Sequence, residues 1–229
     1  RLRLFDAQGV PRAPASISAV AFTESTVTLE VQLGEASSAH PAVTGVSIQQ
    51  DGGAASASCE PSGSSYRCVV SGLGVGDRHT FRAVARNAVG DSDPTANSVE
   101  TWAFRQPQLD AAGVAVEQST AGGATTLTTG TLRFDVSSDD NTIRGYRVTA
   151  GGVSGEVTGR TGSVTLAGVP VGGAVSYTVV PISRFQPPSG GSGEGAGVSG
   201  DTPVAGLPSI TGLTLTPAQD SRDVGVTFT

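Results

Sequence analysis

The sequence repeats at an interval of about 100 residues, and each copy contains short segments in which apolar and polar residues alternate. Three such segments are 25–32, 131–137 and 223–228. Their apolar positions are Val27, Leu29 and Val31 in the first and Leu132, Phe134 and Val136 in the second. Because successive side chains of a β-strand point to opposite faces, each segment is predicted to be a strand with one buried face.

Two further pairs of segments extend the repeat. Segment 43–48 matches 143–148, and segment 72–81 matches 168–177. Several short strands in a unit of about 100 residues indicate a β-sandwich, because the repeating unit of a solenoid is shorter. We therefore expect an all-β chain with two whole modules of about seven strands each and the start of a third.

Junctions that contain proline set the predicted boundaries. The junction at 10–14 opens the first module, so we expect residues 1–13 to be the last strand of a preceding module and a linker. Residues 14–103 and 104–205 form the two complete modules, and 206–229 form the first strands of a truncated third. The Gly- and Ser-rich stretch 186–200, between the last two strands of the second module, is predicted to be flexible.

Composition argues against several classes of function. The net charge of −6 and the pI of about 4.8 are unfavourable for nucleic-acid binding, which requires clustered positive charge. No apolar run approaches the roughly 20 residues that span a membrane. All 14 basic residues are Arg, and with abundant Ala, Gly and Val this indicates a GC-rich, actinobacterium-like source. Without Lys, the Lys–Asn isopeptide crosslinks of many Gram-positive surface modules cannot form.

The chain resembles the fibronectin type III family in the region that would form strands F and G. The matching residues are Gly72, Leu73, Gly76, Phe81, Ala83, Ala85, Asn87, Gly90 and Ser92. Gly45-Val46 and Gly145-Tyr146 resemble the family's strand C. The resemblance implies tandem fibronectin type III-like sandwiches with an immunoglobulin-like fold. At the corner where the family carries Tyr, this chain has His79 and Val175, and we expect a His79 ring nitrogen to bind the backbone in place of the hydroxyl.

Cys59 and Cys68 are the only cysteines, and the segment between them contains Pro61 and Gly63. Proline and glycine favour a turn, which brings the two thiols together. An isolated pair in a repeated sandwich favours a disulfide and an oxidising, extracellular or cell-surface compartment. The alternative is two free buried thiols in a cytosolic protein.

The sequence offers no partners for catalysis. A Ser-His-Asp triad needs a Ser held against a His, yet His79 lies at a structural corner and His40 in a loop expected to be exposed. Asp139 and Asp140 are adjacent, which does not suit glycoside hydrolysis, and whether these loop acids bind calcium stays open. The glycine-rich stretches do not open helices, so they lack the geometry of phosphate-binding loops. We predict no enzyme, no cofactor and no metal site.

Two regions are candidates for contact with partners. Trp102 and Phe104 lie at the junction after the first module, where they are expected to pack between modules or to contact a ligand such as a sugar ring. Asn87, Asp91 and Asp93 lie in the loop between strands F and G, which often carries binding in fibronectin-type modules.

The predicted function is a non-catalytic extracellular spacer or adhesive stalk. Its partners are the neighbouring modules of the same chain and an extracellular or cell-wall glycan or protein, without nucleic acid and without membrane insertion. The alternative is a set of accessory modules in a secreted polysaccharide-degrading enzyme, where they position the catalytic domain or contact the glycan.

Overall fold

The computed structural model describes residues 9–119 and 128–206 in full, and the backbone of 214–217 and 224–227. The described part consists of β-strands and one short 3₁₀ helix, Ala111–Gly113. It divides into two compact units. The first comprises residues 9–107 together with Ser183–Glu194, and the second comprises Gln108–Ile182 and the described residues from 195 onward.

The first unit has two antiparallel sheets. One sheet contains β1 (Ser16–Phe22), β2 (Thr26–Gln32), β5 (Ala57–Ser62) and β6 (Ser65–Ser71), in the order β1-β2-β6-β5. The other contains β3 (Gly45–Gln50), β4 (Gly53–Ala54), β7 (His79–Arg86), β8 (Asp91–Pro94) and β9 (Val99–Thr101). Its order is β4-β3-β7-β8, and β9 also pairs with β7.

The core of the first unit lies between these sheets. From β2 and β6 come Val27, Leu29, Val31, Tyr66, Cys68 and Val70, and from β3 and β7 come Ile48, Phe81 and Ala83. The alternating residues of β2 are fully buried, as their spacing predicts. Removing apolar side chains from water is the main driving force for holding such sheets together.

The second unit is also a two-layer sandwich. One sheet contains β10 (Val114–Gln118), β11 (Thr129–Ser137) and β14 (Thr161–Pro170), in the order β10-β11-β14. The other contains β12 (Ile143–Ala150), β13 (Val153–Thr158), β15 (Gly173–Ser183) and β16 (Val198–Val204), in the order β13-β12-β15-β16. Its core includes Leu132, Phe134, Val136, Tyr146, Val148, Leu166, Val169 and Val179.

These strands confirm the fold class predicted from the sequence. The alternating segments form β2, β11 and, beyond the two sandwiches, β18 (Val224–Thr227), which pairs with β17 (Thr214–Pro217). The repeated segments 43–48 and 143–148 overlap β3 and β12. The stretch 186–200 differs from its prediction, because its last three residues belong to β16 and Gly195 donates a backbone hydrogen bond to Pro181.

The two sandwiches differ in one strand. In the second unit β13 pairs with β12, whereas in the first unit β4 pairs with β3 over only two residues and the chain then crosses to form β5 beside β6. The resulting four-stranded sheet has the order of the larger sheet in immunoglobulin constant domains. The crossing brings both cysteines into adjacent strands.

Candidate functional site

The disulfide lies in the β5–β6 hairpin. Cys59 and Cys68 are directly opposite one another in the strand register and are bonded. Gly63, with a φ of 63°, forms the turn between the two strands, as the sequence predicts. Cys68 is fully buried in the core, so the crosslink ties the edge strand β5 to the centre of the sandwich.

Trp102 is half-buried, and neighbouring groups contact both its ring and its indole N–H. The Arg78 guanidinium carbon lies 4.0 Å from the ring centroid, within the range of a cation–π contact. Arg78 also forms an ion pair of 2.6 Å with Glu100. The indole N–H donates to the carbonyl oxygen of Gln186 at 2.8 Å, and Gln186 belongs to the same unit. The Trp102 ring is therefore not an open platform.

Phe104 is buried in the first unit, with 5% of its surface exposed. Its ring meets that of Phe22 edge to face, with 6.0 Å between centroids. Its backbone N–H donates to the carbonyl of Thr23 at 2.8 Å. These contacts hold the segment that follows the last strand of this sandwich against the end of its first strand.

Of the three candidate binding residues, Asn87 lies in the loop between β7 and β8, whereas Asp91 and Asp93, expected in that loop, belong to β8. Asn87 and Asp91 have partners within the first unit. Asn87 donates to the carbonyl of Gly9 at 3.0 Å, and its side-chain oxygen accepts from the N–H groups of Val89 and Gly90. Asp91 accepts two hydrogen bonds from Arg86, which hold the pKa of this carboxyl below its usual range. Asp93 is exposed. A binding role for Asn87, Asp91 and Asp93 stays a prediction.

His79 binds side chains rather than the backbone acceptor that we expected. Its Nδ1 lies 2.7 Å from Asp51 Oδ2 and 3.1 Å from the Gln50 amide. The other carboxylate oxygen of Asp51 accepts the Thr80 N–H at 2.9 Å. Asp51 adopts a left-handed φ of 52° in the β3–β4 turn, where the register places it opposite the start of β7. The corner is thus held by a side-chain hydrogen bond between His79 and Asp51.

The Asp51 contacts predict a pH dependence. The Thr80 N–H bond, and next the His79 bond, lower the pKa of Asp51. A carboxyl whose folded pKa is depressed stabilises the fold above its unfolded pKa, near 3.9, and loses this contribution as pH falls through the folded value. We expect wild type to be more stable than Asp51→Asn at pH 6, with the difference shrinking below about pH 4. Asn also tolerates the left-handed turn, so backbone strain is matched.

Urea unfolding of the two proteins between pH 7 and pH 2.5 measures this difference. A gap in stability that stays constant over the whole range would contradict the assignment.

The other titratable candidates also have structural partners. His40, expected to be exposed, is half-buried, and its Nδ1 lies 3.0 Å from the carbonyl of Val10. Asp140 accepts from the Gln108 N–H through one oxygen and from the Thr142 N–H and hydroxyl through the other. Asp139 is exposed, and its carbonyl accepts from Arg160. Within the described residues, no group of three His, Cys, Asp or Glu side chains could hold a metal ion.

Tyr146 was not singled out in the sequence beyond its match to strand C. It is fully buried, and its hydroxyl donates to the carbonyl of Arg160 at 2.7 Å. Burial raises the pKa of this hydroxyl. An aromatic residue at an apolar position of a predicted strand gives no sign of such a bond, because the acceptor lies in a distant turn.

Two antiparallel sandwiches, each with its own apolar core, define the class of this molecule as a modular all-β protein. Its structure is similar to solved tandem fibronectin type III domains. A two-domain segment of chicken tenascin is 19% identical, with a TM-score of 0.44, over 83% of this chain and 99% of that one.

Chicken CNTN1 FN1–FN3 domains are 17% identical, with a TM-score of 0.37, over 96% and 76% of the two chains. The central fibronectin-III array of RIM-binding protein is 15% identical, with a TM-score of 0.32, over 98% and 73%. No protein-family profile and no curated protein sequence matches the chain. In the part of the chain that the structure describes, no helix has the length and apolar character needed to cross a membrane.

Proposed function

We propose that the chain is part of a non-catalytic extracellular spacer or adhesive stalk, in which β-sandwiches in series hold another part of the protein at a distance. The observation that supports this most directly is the direction of the terminal strands. In each sandwich the first and last strands run the same way, so the chain enters at one end of the module and leaves at the other.

In the first unit, hydrogen bonds join the two terminal strands at both ends of β1. Near its start, the Ile17 backbone and the Asn97 side chain exchange two hydrogen bonds of 3.3 and 2.9 Å. Just after its end, the Thr23 carbonyl accepts from Phe104 at 2.8 Å. The chain from Asn97 to Phe104 therefore runs parallel to the chain from Ile17 to Thr23. These hydrogen bonds are spread over the length of β1, a seven-residue strand of about 20 Å.

The second unit repeats this arrangement with different residues. Gln118 ends β10, and its side-chain amide exchanges two hydrogen bonds of 2.7 and 2.9 Å with the backbone of Ala205. Ala205 directly follows β16. The first and last strands thus finish at the same end of the sandwich, and the chain enters the module at the opposite end. Tension between entry and exit loads these cross-strand bonds together in shear.

Extracellular placement is supported by the disulfide, because such bonds persist in oxidising compartments. The absence of catalysis is supported by the partners of the candidate groups: His79, Asp51 and Asp140 are engaged in bonds that shape turns and corners. The alternative, accessory modules that contact the glycan of a polysaccharide-degrading enzyme, is less well supported, because Arg78 lies over the Trp102 ring.

The Asn97→Ala variant tests the load path. It removes two hydrogen bonds between the terminal strands, each with a net value of about 0.5–1.5 kcal/mol. At constant force between the chain ends, we expect the first unit to unfold about tenfold faster, since about 1.4 kcal/mol corresponds to a factor of ten. Lifetimes from single-molecule stretching give this ratio.

The matched control is Ser98→Ala, a substitution at the adjacent exposed residue, which should leave the lifetime unchanged. Equal lifetimes for Asn97→Ala and wild type would mean that the terminal strands do not bear the load. Binding of the intact chain to insoluble polysaccharide, lost on Trp102→Ala, would instead support the accessory role.

A further inference from the structure

Segment Ser183–Glu194 connects β15 to β16 in sequence but belongs to the first compact unit. The chain therefore passes between the two units three times, after Pro107, after Ile182 and after Glu194. A spacer of modules in series needs only one such passage. The two additional passages require contacts in the first unit that hold this segment.

Gly76 provides the central contact. It lies at the corner that precedes β7, with a φ of 80°, and the ring of Phe185 covers the side of its Cα where a side chain would project. A Cβ atom at this position would overlap the ring. Phe185 is half-buried. The absence of a side chain at residue 76 is thus what allows the ring to approach the backbone.

Trp102 adds a directional contact to the same segment. Its indole N–H donates to the Gln186 carbonyl, one residue beyond Phe185. Arg78 holds the Trp102 ring from one face and is itself paired with Glu100. Further along the segment, Pro188 and Ser189 line a groove of about 320 Å³ with residues of β1 and β9.

The segment is also shaped to present Phe185. Ser183 is buried, and its hydroxyl accepts from the Phe185 N–H at 3.0 Å, while its own N–H donates to the Gly193 carbonyl at 2.8 Å. Gly190 donates to Pro187 at 3.0 Å. These bonds close the segment into a loop with the aromatic ring near its start.

At the equivalent corner of the second unit, no aromatic ring of the described residues covers the glycine. The sequence repeat aligns Gly76 with Gly172, which has a φ of 93° and no described atom within 4 Å of the place that a Cβ would occupy. The residues aligned with Arg78 and Trp102 are Ala174 and Pro203, which supply neither a cation nor an indole N–H. The contacts that hold Phe185 are therefore specific to the first unit and do not follow from the corner turn itself.

We propose that Ser183–Glu194 is a docking arm, and that Gly76, Arg78 and Trp102 form its seat in the first unit. The arm is recognised by an aromatic ring against a bare backbone and by one carbonyl that accepts the indole N–H. This inference goes beyond the spacer function, since it concerns which unit holds the arm and not what the modules carry.

Limited trypsin digestion of the whole chain tests the arm. Trypsin cleaves after arginine, and the exposed Arg184 precedes Phe185, so the bond between them becomes a substrate whenever the arm leaves its seat. Cleavage of a transiently open segment follows the population of the open form. We expect Gly76→Ala to raise the rate at which fragments beginning at Phe185 form by about tenfold or more over wild type.

Gly172→Ala is the matched control, because it introduces the same side chain at a similar positive φ without a ring above it. Its Arg184–Phe185 cleavage should stay within about twofold of wild type. Trp102→Phe and Phe185→Ala remove the N–H and the ring without straining the corner, so they test the seat even if Gly76→Ala fails to fold. Both should accelerate cleavage after Arg184.

The proposal is overturned if cleavage after Arg184 proceeds at the wild-type rate in both Trp102→Phe and Phe185→Ala. It is also overturned if Gly172→Ala accelerates this cleavage as much as Gly76→Ala does. Neither result bears on the lifetimes of the modules under force, so failure of the arm and failure of the spacer role are distinguishable.

Discussion

Phe134→Ala is expected to destabilise the second unit by about 3–5 kcal/mol. Phe134 is fully buried on β11, and its ring meets that of Tyr177 edge to face at 5.4 Å. Truncation removes the transfer free energy of the ring and leaves a cavity between two sheets whose hydrogen-bonded strands cannot collapse to fill it.

Hydrogen exchange of backbone amides measures this effect unit by unit. Strongly protected amides exchange through unfolding, so amides in β11 and β14 should exchange roughly 10²- to 10⁴-fold faster in Phe134→Ala. Amides in β2 and β6 of the first unit should change little. Phe81→Ala is the reciprocal control, because Phe81 is fully buried in the first core. If either substitution accelerated exchange equally in both sandwiches, the two cores would not be separate folding units.

The second large effect is expected from the disulfide. Cys59 and Cys68 are nine residues apart, and closing a loop of this size stabilises the folded state by about 2–3 kcal/mol in the chain-entropy treatment. Reduction of the wild-type chain should lower the free energy of unfolding of the first unit by this amount. Denaturant titration with and without reductant, followed by Trp102 fluorescence, reports on this unit.

The double variant Cys59→Ala/Cys68→Ala separates crosslinking from packing. Cys68 is in the core, so the variant also loses buried sulfur and should be less stable than the reduced wild type. Reduction that shifts the unfolding midpoint by no more than experimental error would show that the bond does not constrain the unfolded chain. Amide exchange in the second unit serves as the internal control and should be unaffected.

The central strands could be predicted because their apolar residues alternate over seven or more positions. In β2 and β11 each apolar residue of the period faces the core, so local pattern and burial agree. Strand β5 has no such pattern, since it contains Pro61 and is mostly exposed. Its position follows from pairing with β6, which a local reading of the sequence does not provide.

The partners of the candidate residues were less predictable than the strands. His79 is far from Asp51 in sequence, and their contact depends on the register between β3 and β7 and on a left-handed turn residue. The Cys59–Cys68 disulfide could be predicted because the turn between the two residues is short and carries its own sequence signal. Contacts over long separations have no such signal.

The arm illustrates the same limit. Glycine and serine in 186–200 favour flexibility on composition alone, and Gly76 is recognisable only as a corner glycine. That the Phe185 ring lies on Gly76 depends on more than 100 residues of intervening fold. Composition describes the intrinsic freedom of a segment but not the surface on which it comes to rest.

Stretching single molecules between the two chain ends tests the central claim most directly. We expect two separate unfolding steps, one for each sandwich. Reduction of Cys59–Cys68 should lengthen only the first unit's step, by about 30 Å, because nine further residues at roughly 3.3–3.6 Å each become extensible. A smooth extension without steps, or a single step that includes both sandwiches, would contradict a spacer built from β-sandwiches that bear load in series.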